Sequence, residues 1–118
     1  MDESGRPIFL QLAEQLENQI ISDQFKEESQ VPSINELATF HSINPATALK
    51  AINQLVDDAT LYKKRGIGMF VNAGAKQALI TKHSQKFRAE FVEPLIIEAR
   101  KLGITSQEII QMLGKESF

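Results

Sequence analysis

The chain has 118 residues, 42% of them hydrophobic and 24% charged, with a formal net charge of −2 and no cysteine. That length suits one compact domain with an appendage, and the composition suits a globular core. The lack of cysteine excludes disulfides and thiolate metal sites. The acidic start Met1-Asp2-Glu3 and the absence of any apolar run of spanning length speak against a signal peptide or a membrane helix, so the expected location is cytoplasmic.

A helix is predicted over about residues 7–23. Pro7 starts it, and Ile8, Leu12, Leu16 and Ile20 with Phe9, Ala13 and Ile21 form a wide apolar stripe, leaving Glu14, Glu17 and Gln19 to solvent. Phe25 then anchors the connection, Lys26-Glu27-Glu28-Ser29 reads as a solvated turn, and Gln30-Val31 as a short strand laid against the hairpin that follows at 61–72. Ser33 with Glu36 three residues on is a capping box. It opens a two-turn helix with Ile34, Leu37, Ala38 and Phe40 as its apolar positions, ending near His41. The connection His41-Ser42-Ile43 is short enough to force a steep crossing into the next helix.

That next helix has the stronger start. Asn44 is a favoured N-cap, and Pro45 has φ preset with no N–H to leave unpaired. Ala48, Ile52, Leu55 and Val56 should face inward. Ala46, Thr47, Lys50, Asn53, Gln54 and Asp57 should face out. Leu61-Tyr62-Lys63-Lys64 and Met69-Phe70-Val71-Asn72 then read as two strands around Arg65-Gly66-Ile67-Gly68, where glycine can supply φ > 0. The Gly-x-Gly joins two strands and opens no helix, so it is no dinucleotide fingerprint. Two helices across a tight turn followed by a basic hairpin predict a winged helix-turn-helix; without the hairpin, two ordinary helices of a small α domain would fit equally well.

Charge is unevenly distributed. Residues 1–30 hold seven acids and two bases, residues 31–75 three acids and four bases, and residues 76–118 five acids and seven bases. The consecutive Lys63, Lys64 and Arg65 can therefore meet phosphates although the whole chain is slightly acidic; the bland alternative is that they solvate a hairpin tip. Ala73-Gly74-Ala75 marks the expected end of this unit. From Lys76 a helical stretch runs to about Leu102 with Leu79, Ile80, His83, Phe87, Phe91, Leu95 and Ala99 at three- and four-residue steps. Pro94 should kink or break it, and Gly103 should end it. Thr105 with Glu108 is a second capping box, opening a last helix with Ile109, Ile110, Met112 and Leu113. An apolar face carrying Phe87, Phe91, Leu95, Ile109 and Leu113 has its simplest burial against a second copy, giving a two-fold dimer. The alternative is that the tail folds back on its own domain.

Nothing points to catalysis or metal binding. His41 and His83 have no companion histidine or carboxylate at ligand spacing in the same element, and no serine, histidine and acid arrangement is recognisable. No cofactor is expected.

The stretches Arg6-Pro7-Ile8-Phe9 with Gln11, Val31-Pro32-Ser33, Glu36-Leu37-Ala38, Ile43-Asn44-Pro45-Ala46-Thr47, Lys50-Ala51 and Arg65-Gly66-Ile67-Gly68-Met69-Phe70-Val71 resemble the winged-helix domain of the GntR family of bacterial transcription regulators. The short two-helix tail resembles that of the YtrA-like subfamily, whose members lack a large effector domain. The family usually has glycine where Asp23 stands, Pro-Gly where Glu27-Glu28 stand, arginine where Asn35 stands, and often asparagine at Ala46. The resemblance implies repression, and it implies that the position of Asn35 approaches DNA.

The reading is thus mainly α with a small β wing: a winged helix-turn-helix DNA-binding domain over 1–75 and a two-helix dimerisation tail over 76–118. The expected function is a sequence-specific transcription regulator, a repressor that binds a pseudo-palindromic double-stranded operator as a homodimer. Ala46, Thr47, Lys50 and Gln54 would face the major groove, Ser33 and Asn35 the backbone, and Lys63, Lys64 and Arg65 the phosphates or minor groove, with Gly66 permitting close approach. The alternatives are a winged helix that answers an acidic protein partner and a sensor that takes a small effector in its tail.

Overall fold

A computed structural model describes residues 3–115, so the extreme ends of both expected domains lie outside the described residues. In chain order it contains α1 (Ile8–Ile21), α2 (Ile34–His41), α3 (Pro45–Asp57), β1 (Leu61–Lys64), β2 (Gly68–Val71), α4 (Ala75–Phe87), a π-helical turn (Arg88–Val92), α5 (Glu93–Leu102) and α6 (Ser106–Gly114). These form two compact units, Met1–Thr81 and Lys82–Phe118. The division falls inside α4 because Ala75 and Leu79 are still buried in the core of the first unit.

In the first unit, α1 and α2 both pack on α3. The stripe Leu12, Ala13, Leu16 and Ile20 of α1 closes on Ala48, Ala51, Ile52 and Leu55 of α3, with Leu37 and Ala38 from α2 and Leu61 and Val71 from the hairpin. Two expected faces are corrected. Glu17 is buried, lying beside Leu16 at the edge of a stripe wider than the sequence pattern indicates. Phe40 is 81% exposed, because α2 buries Leu37 and Ala38 and, at about 100° per residue, Phe40 lies on the far side of the helix from Ala38.

Local chemistry sets the ends of these helices. The Ser33 hydroxyl accepts from the Glu36 N–H at 3.1 Å, and the Glu36 carboxylate accepts from the Ser33 N–H at 3.0 Å. At the far end Ser42 takes a left-handed conformation (φ 54), and the Ile43 N–H returns to the Ala38 carbonyl at 3.0 Å while its side chain packs on the core. Asn44 caps α3 through its Oδ1, which accepts from the Ala46 N–H at 2.8 Å. Helix, tight turn and helix are thereby locked in sequence.

The strands pair antiparallel, Leu61 with Val71 through Lys64 with Gly68. The expected third strand is reduced to a bridge between Gln30 and Phe70, with the Val31 N–H donating to the Met69 carbonyl at 2.9 Å.

In the second unit the stretch around Pro94 stays helical. Pro94 has no N–H and crowds the preceding turn, and the chain answers by widening to a π-helical turn over Arg88–Val92, with Phe87, Val92 and Glu93 all right-handed. Gly103 (φ 69) ends α5, and the Thr105–Glu108 capping box opens α6. Ala99 is the one buried apolar residue among the described residues of this unit; Phe87, Phe91, Leu95, Ile97 and Leu113 are all exposed. No helix among the described residues is long and apolar enough to cross a membrane.

Candidate nucleic-acid interface

The solvent face of α3 carries Ala46, Lys50, Asn53 and Asp57, with Thr47 and Gln54 half-buried. All belong to a helix whose other face is fully inside the core, so their positions are as fixed as that core. Ala46, Thr47 and Lys50 share a shallow groove of about 420 Å³ with Ile8 and Phe9 at the head of α1. Within it the Lys50 ammonium lies 4.2 Å from the centre of the Phe9 ring. Gln54 differs from these residues: its amide donates to both carboxylate oxygens of Asp58, at 3.2 and 3.3 Å, near the far end of the helix.

Ser33 and Asn35 are exposed at the start of α2. Hydrogen bonds from the Ser33 N–H, first, and from the Ser33 side chain hold the Glu36 carboxyl below its ordinary value. Asn35 lies on the rim of an apolar hollow of about 660 Å³ formed with Phe25, Leu37 and Phe40.

The hairpin separates charges that are consecutive in sequence. Strand alternation sends Tyr62 and Lys64, with the cross-strand Phe70, to one face, and Leu61, Lys63, Met69 and Val71 to the other. Tyr62 and Phe70 stack with centroids 6.0 Å apart, and the Lys64 ammonium sits 4.2 Å from the Phe70 ring centre. The Tyr62 hydroxyl donates to Glu28 at 2.6 Å, which raises its pKa above the usual phenol value. Arg65, Gly66 and Ile67 form the exposed tip, closed by the Ile67 N–H donating to the Lys64 carbonyl at 2.9 Å. Gly66 (φ 78) has open space where a Cβ would stand, whereas a Cβ on Gly68 would meet the Gln30 amide at 2.5 Å. Gln30 in turn donates to the Ile67 carbonyl at 3.0 Å and so braces the loop.

The acidic segment before α2 is more than a solvated turn. Asp23 (φ 65) and Glu28 (φ 67) are left-handed, the conformation for which glycine is the usual choice at these places. Their carboxylates, and that of Glu27, are all engaged. Asp23 pairs with the Lys76 ammonium at 2.8 Å, Glu27 accepts the N–H groups of Gly74 and Lys76 at 2.7 and 3.2 Å, and Glu28 takes the Tyr62 hydroxyl. Side chains absent from a Gly-bearing turn thus tie it to the wing and to the first turn of α4. Sequence spacing lays Gln30 against the wing, where its bridge to Phe70 puts it, but gives no sign of its side-chain brace or of Phe9 and these acids as supports, since each partner is dozens of residues away. The alternation of Tyr62 and Lys64 opposite Phe70 was the one local signal available. Among the described residues no three His, Cys, Asp or Glu side chains gather as a metal site.

Comparison with known proteins agrees with this geometry. The family model described as "Bacterial regulatory proteins, gntR family" matches residues 9–71. The chain is 28% identical over 114 residues to the HTH-type transcriptional repressor YtrA of Bacillus subtilis, covering 97% of this chain and 87% of that protein. The crystal structure of a GntR-family transcriptional regulator from Bacteroides thetaiotaomicron superposes with a TM-score of 0.79 at 32% identity, over 92% of this chain and 94% of that one. The AraR DNA-binding domain in complex with operator ORX1 matches with a TM-score of 0.55 at 30% identity, over 60% of this chain and 86% of that one. A winged helix-turn-helix that the family model spans from Phe9 to Val71, and a tail within the length shared with YtrA, make this chain a member of the GntR family of bacterial regulatory proteins, DNA-binding regulators of transcription.

Proposed function

We propose that the chain represses transcription as a homodimer that reads a pseudo-palindromic operator, with no catalytic step. In this reading the region to residue 75 binds DNA and the region from residue 76 joins two copies. Ala46, Thr47 and Lys50 of α3 face base edges and phosphates in the major groove. Ser33 and Asn35 approach the backbone at the head of α2, and Asn35 makes a neutral contact there. Lys63, Lys64 and Arg65 meet phosphates or the minor groove, with Gly66 letting the tip approach closely. Gln54 contributes less than the rest, because Asp58 already holds its amide.

The observation that carries the reading is the half-and-half character of α3, a helix that also packs on β1 of the basic hairpin: Ala48, Ala51, Ile52 and Leu55 are fully buried while Ala46 and Lys50 stand exposed. The names of relatives point the same way, since YtrA is called a repressor and AraR is seen with its operators. Dimerisation is supported by the exposed Phe87, Phe91, Leu95 and Leu113 of the tail, together with the half-buried Ile109, in a unit that buries Ala99 alone among its described residues. Two recognition helices related by a dyad would then read two half-sites.

Selection of bound duplexes from a random pool tests this directly. Enrichment of an inverted repeat is expected. An enriched site without symmetry removes the dimeric reading, and no enrichment at low salt removes operator binding altogether. The variant Lys63→Ala/Lys64→Ala/Arg65→Ala checks the wing: its salt slope should fall by about 0.9 for each phosphate that the wing no longer neutralises. An unchanged slope takes the wing out of the interface.

A further inference from the structure

We propose that Phe9, at the head of α1, is a positioning residue for DNA recognition: its ring seats the ammonium of Lys50, in the N-terminal half of the recognition helix. The proposal rests on the reading of α3 as that helix and adds to it a residue forty-one positions away in sequence.

Three observations meet here. The Lys50 ammonium is 4.2 Å from the Phe9 ring centre, within the range where the electron-rich face attracts a cation. Phe9 is itself half-buried and packed against the core, so its ring is a fixed platform and not a second mobile group. Ile8, Phe9, Ala46, Thr47 and Lys50 line one groove, so the platform lies beside the two other residues of α3 assigned to the duplex. A lysine side chain loses rotamer freedom when it is held against a phosphate or a base. A ring that already restricts that freedom in the free protein lowers the loss on binding. The ring covers one side of the ammonium and accepts no conventional hydrogen bond. The three N–H donors therefore stay available to oxygen acceptors on the open side.

The wing repeats the device with Lys64 at 4.2 Å from Phe70. Lys63 leaves from the opposite face of β1, away from Tyr62 and Phe70. It is therefore an internal reference, a cation of the same hairpin that those two rings do not seat.

A double-mutant cycle tests the proposal, using full-length protein and the duplex that the wild type enriches from a random pool. Phe9→Leu keeps an apolar side chain on the core and removes the ring face; Phe9→Tyr restores the face. Phe9→Leu is expected to weaken binding about 3-fold, the range of an exposed cation–ring contact. Phe9→Tyr should bind like wild type. In a Lys50→Met background Phe9→Leu should have no further effect, although Lys50→Met itself lowers the salt slope by about 0.9. An equal loss from Phe9→Leu with and without Lys50 overturns the proposal and makes Phe9 a packing residue only. So does failure of Phe9→Tyr to restore binding while its melting temperature matches wild type. If the wild type enriches no duplex at all, the DNA-binding reading fails first and this proposal with it, an outcome distinct from the other two.

Discussion

The two compact units of this chain are built on opposite terms. The first buries Leu12, Leu16, Ile20, Ile52, Leu55, Leu61 and Val71 almost completely. The second, with a left-handed glycine ending α5 and a capping box opening α6, buries Ala99 alone among its described residues and exposes aromatic and aliphatic side chains along its length. Capping and propensity make a helix; they do not hold one in place without an apolar face to cover. The contrast teaches where stability comes from in each. The first unit carries its own core, whereas burial for the tail has to come from outside itself, and in our reading from a second copy.

Breaking the tail should have the largest effect. Phe91→Asp with Leu95→Asp places charge on the face proposed to pair. Sedimentation should report a monomer, and affinity for a two-half-site duplex should fall about 10²–10⁴-fold as the second half-site stops acting in tandem. A dimer that persists removes that face from the interface. Next in size is the core of the first unit. Ile52→Ala should cost about 2–5 kcal/mol in thermal or denaturant unfolding. That loss should not depend on protein concentration, whereas Phe91→Ala should shift the melting temperature in a concentration-dependent way.

The paired capping boxes sharpen the same contrast at smaller scale. Ser33→Ala should cost about 1 kcal/mol at neutral pH. The Glu36 carboxyl is held below its usual range in the folded protein, so its contribution is complete above that range and disappears as pH falls through the lowered value. The difference between wild type and Glu36→Gln should therefore shrink on acidification, as urea titrations at several pH values would reveal. Thr105→Ala removes the equivalent cap in the tail, and its effect should vary with protein concentration as Phe91→Ala does. The smallest change concerns the turn after α3. Ala59 is left-handed (φ 60) and its carbonyl accepts from the Asn72 side-chain amide. Ala59→Gly keeps that bond, relieves the conformation, and should raise stability by about 0.5 kcal/mol after the entropy of glycine is counted.

Much of the fold was legible because its signals are local. Ser33 with Glu36, Asn44 with Pro45, Gly103, and Thr105 with Glu108 each act within four residues, and each sits where its chemistry puts it. The hairpin was legible as well, although three consecutive cations read as one cluster until alternation sends Lys63 and Lys64 apart. Faces at the margin of a stripe were harder. Glu17 and Phe40 each sit one helical step from residues that are buried as expected, and a periodic pattern cannot say how wide the partner surface is. Pro94 announced a disturbance, but its form, a π-helical turn in an otherwise continuous path, depends on how the neighbouring carbonyls are accommodated.

The sequence alone therefore determined the capped helix ends, the turn between α2 and α3, the wing and the family, because caps, glycines and short-range periodicity act through neighbours along the chain. Only the tertiary structure decided what supports the interface: Phe9 beneath Lys50, Gln30 against Gly68, and Asp23, Glu27 and Glu28 fastening wing and α4. Those partners are brought together by the packing of α1, α2 and α3 around one core, and no rule of sequence spacing carries that information across so many residues.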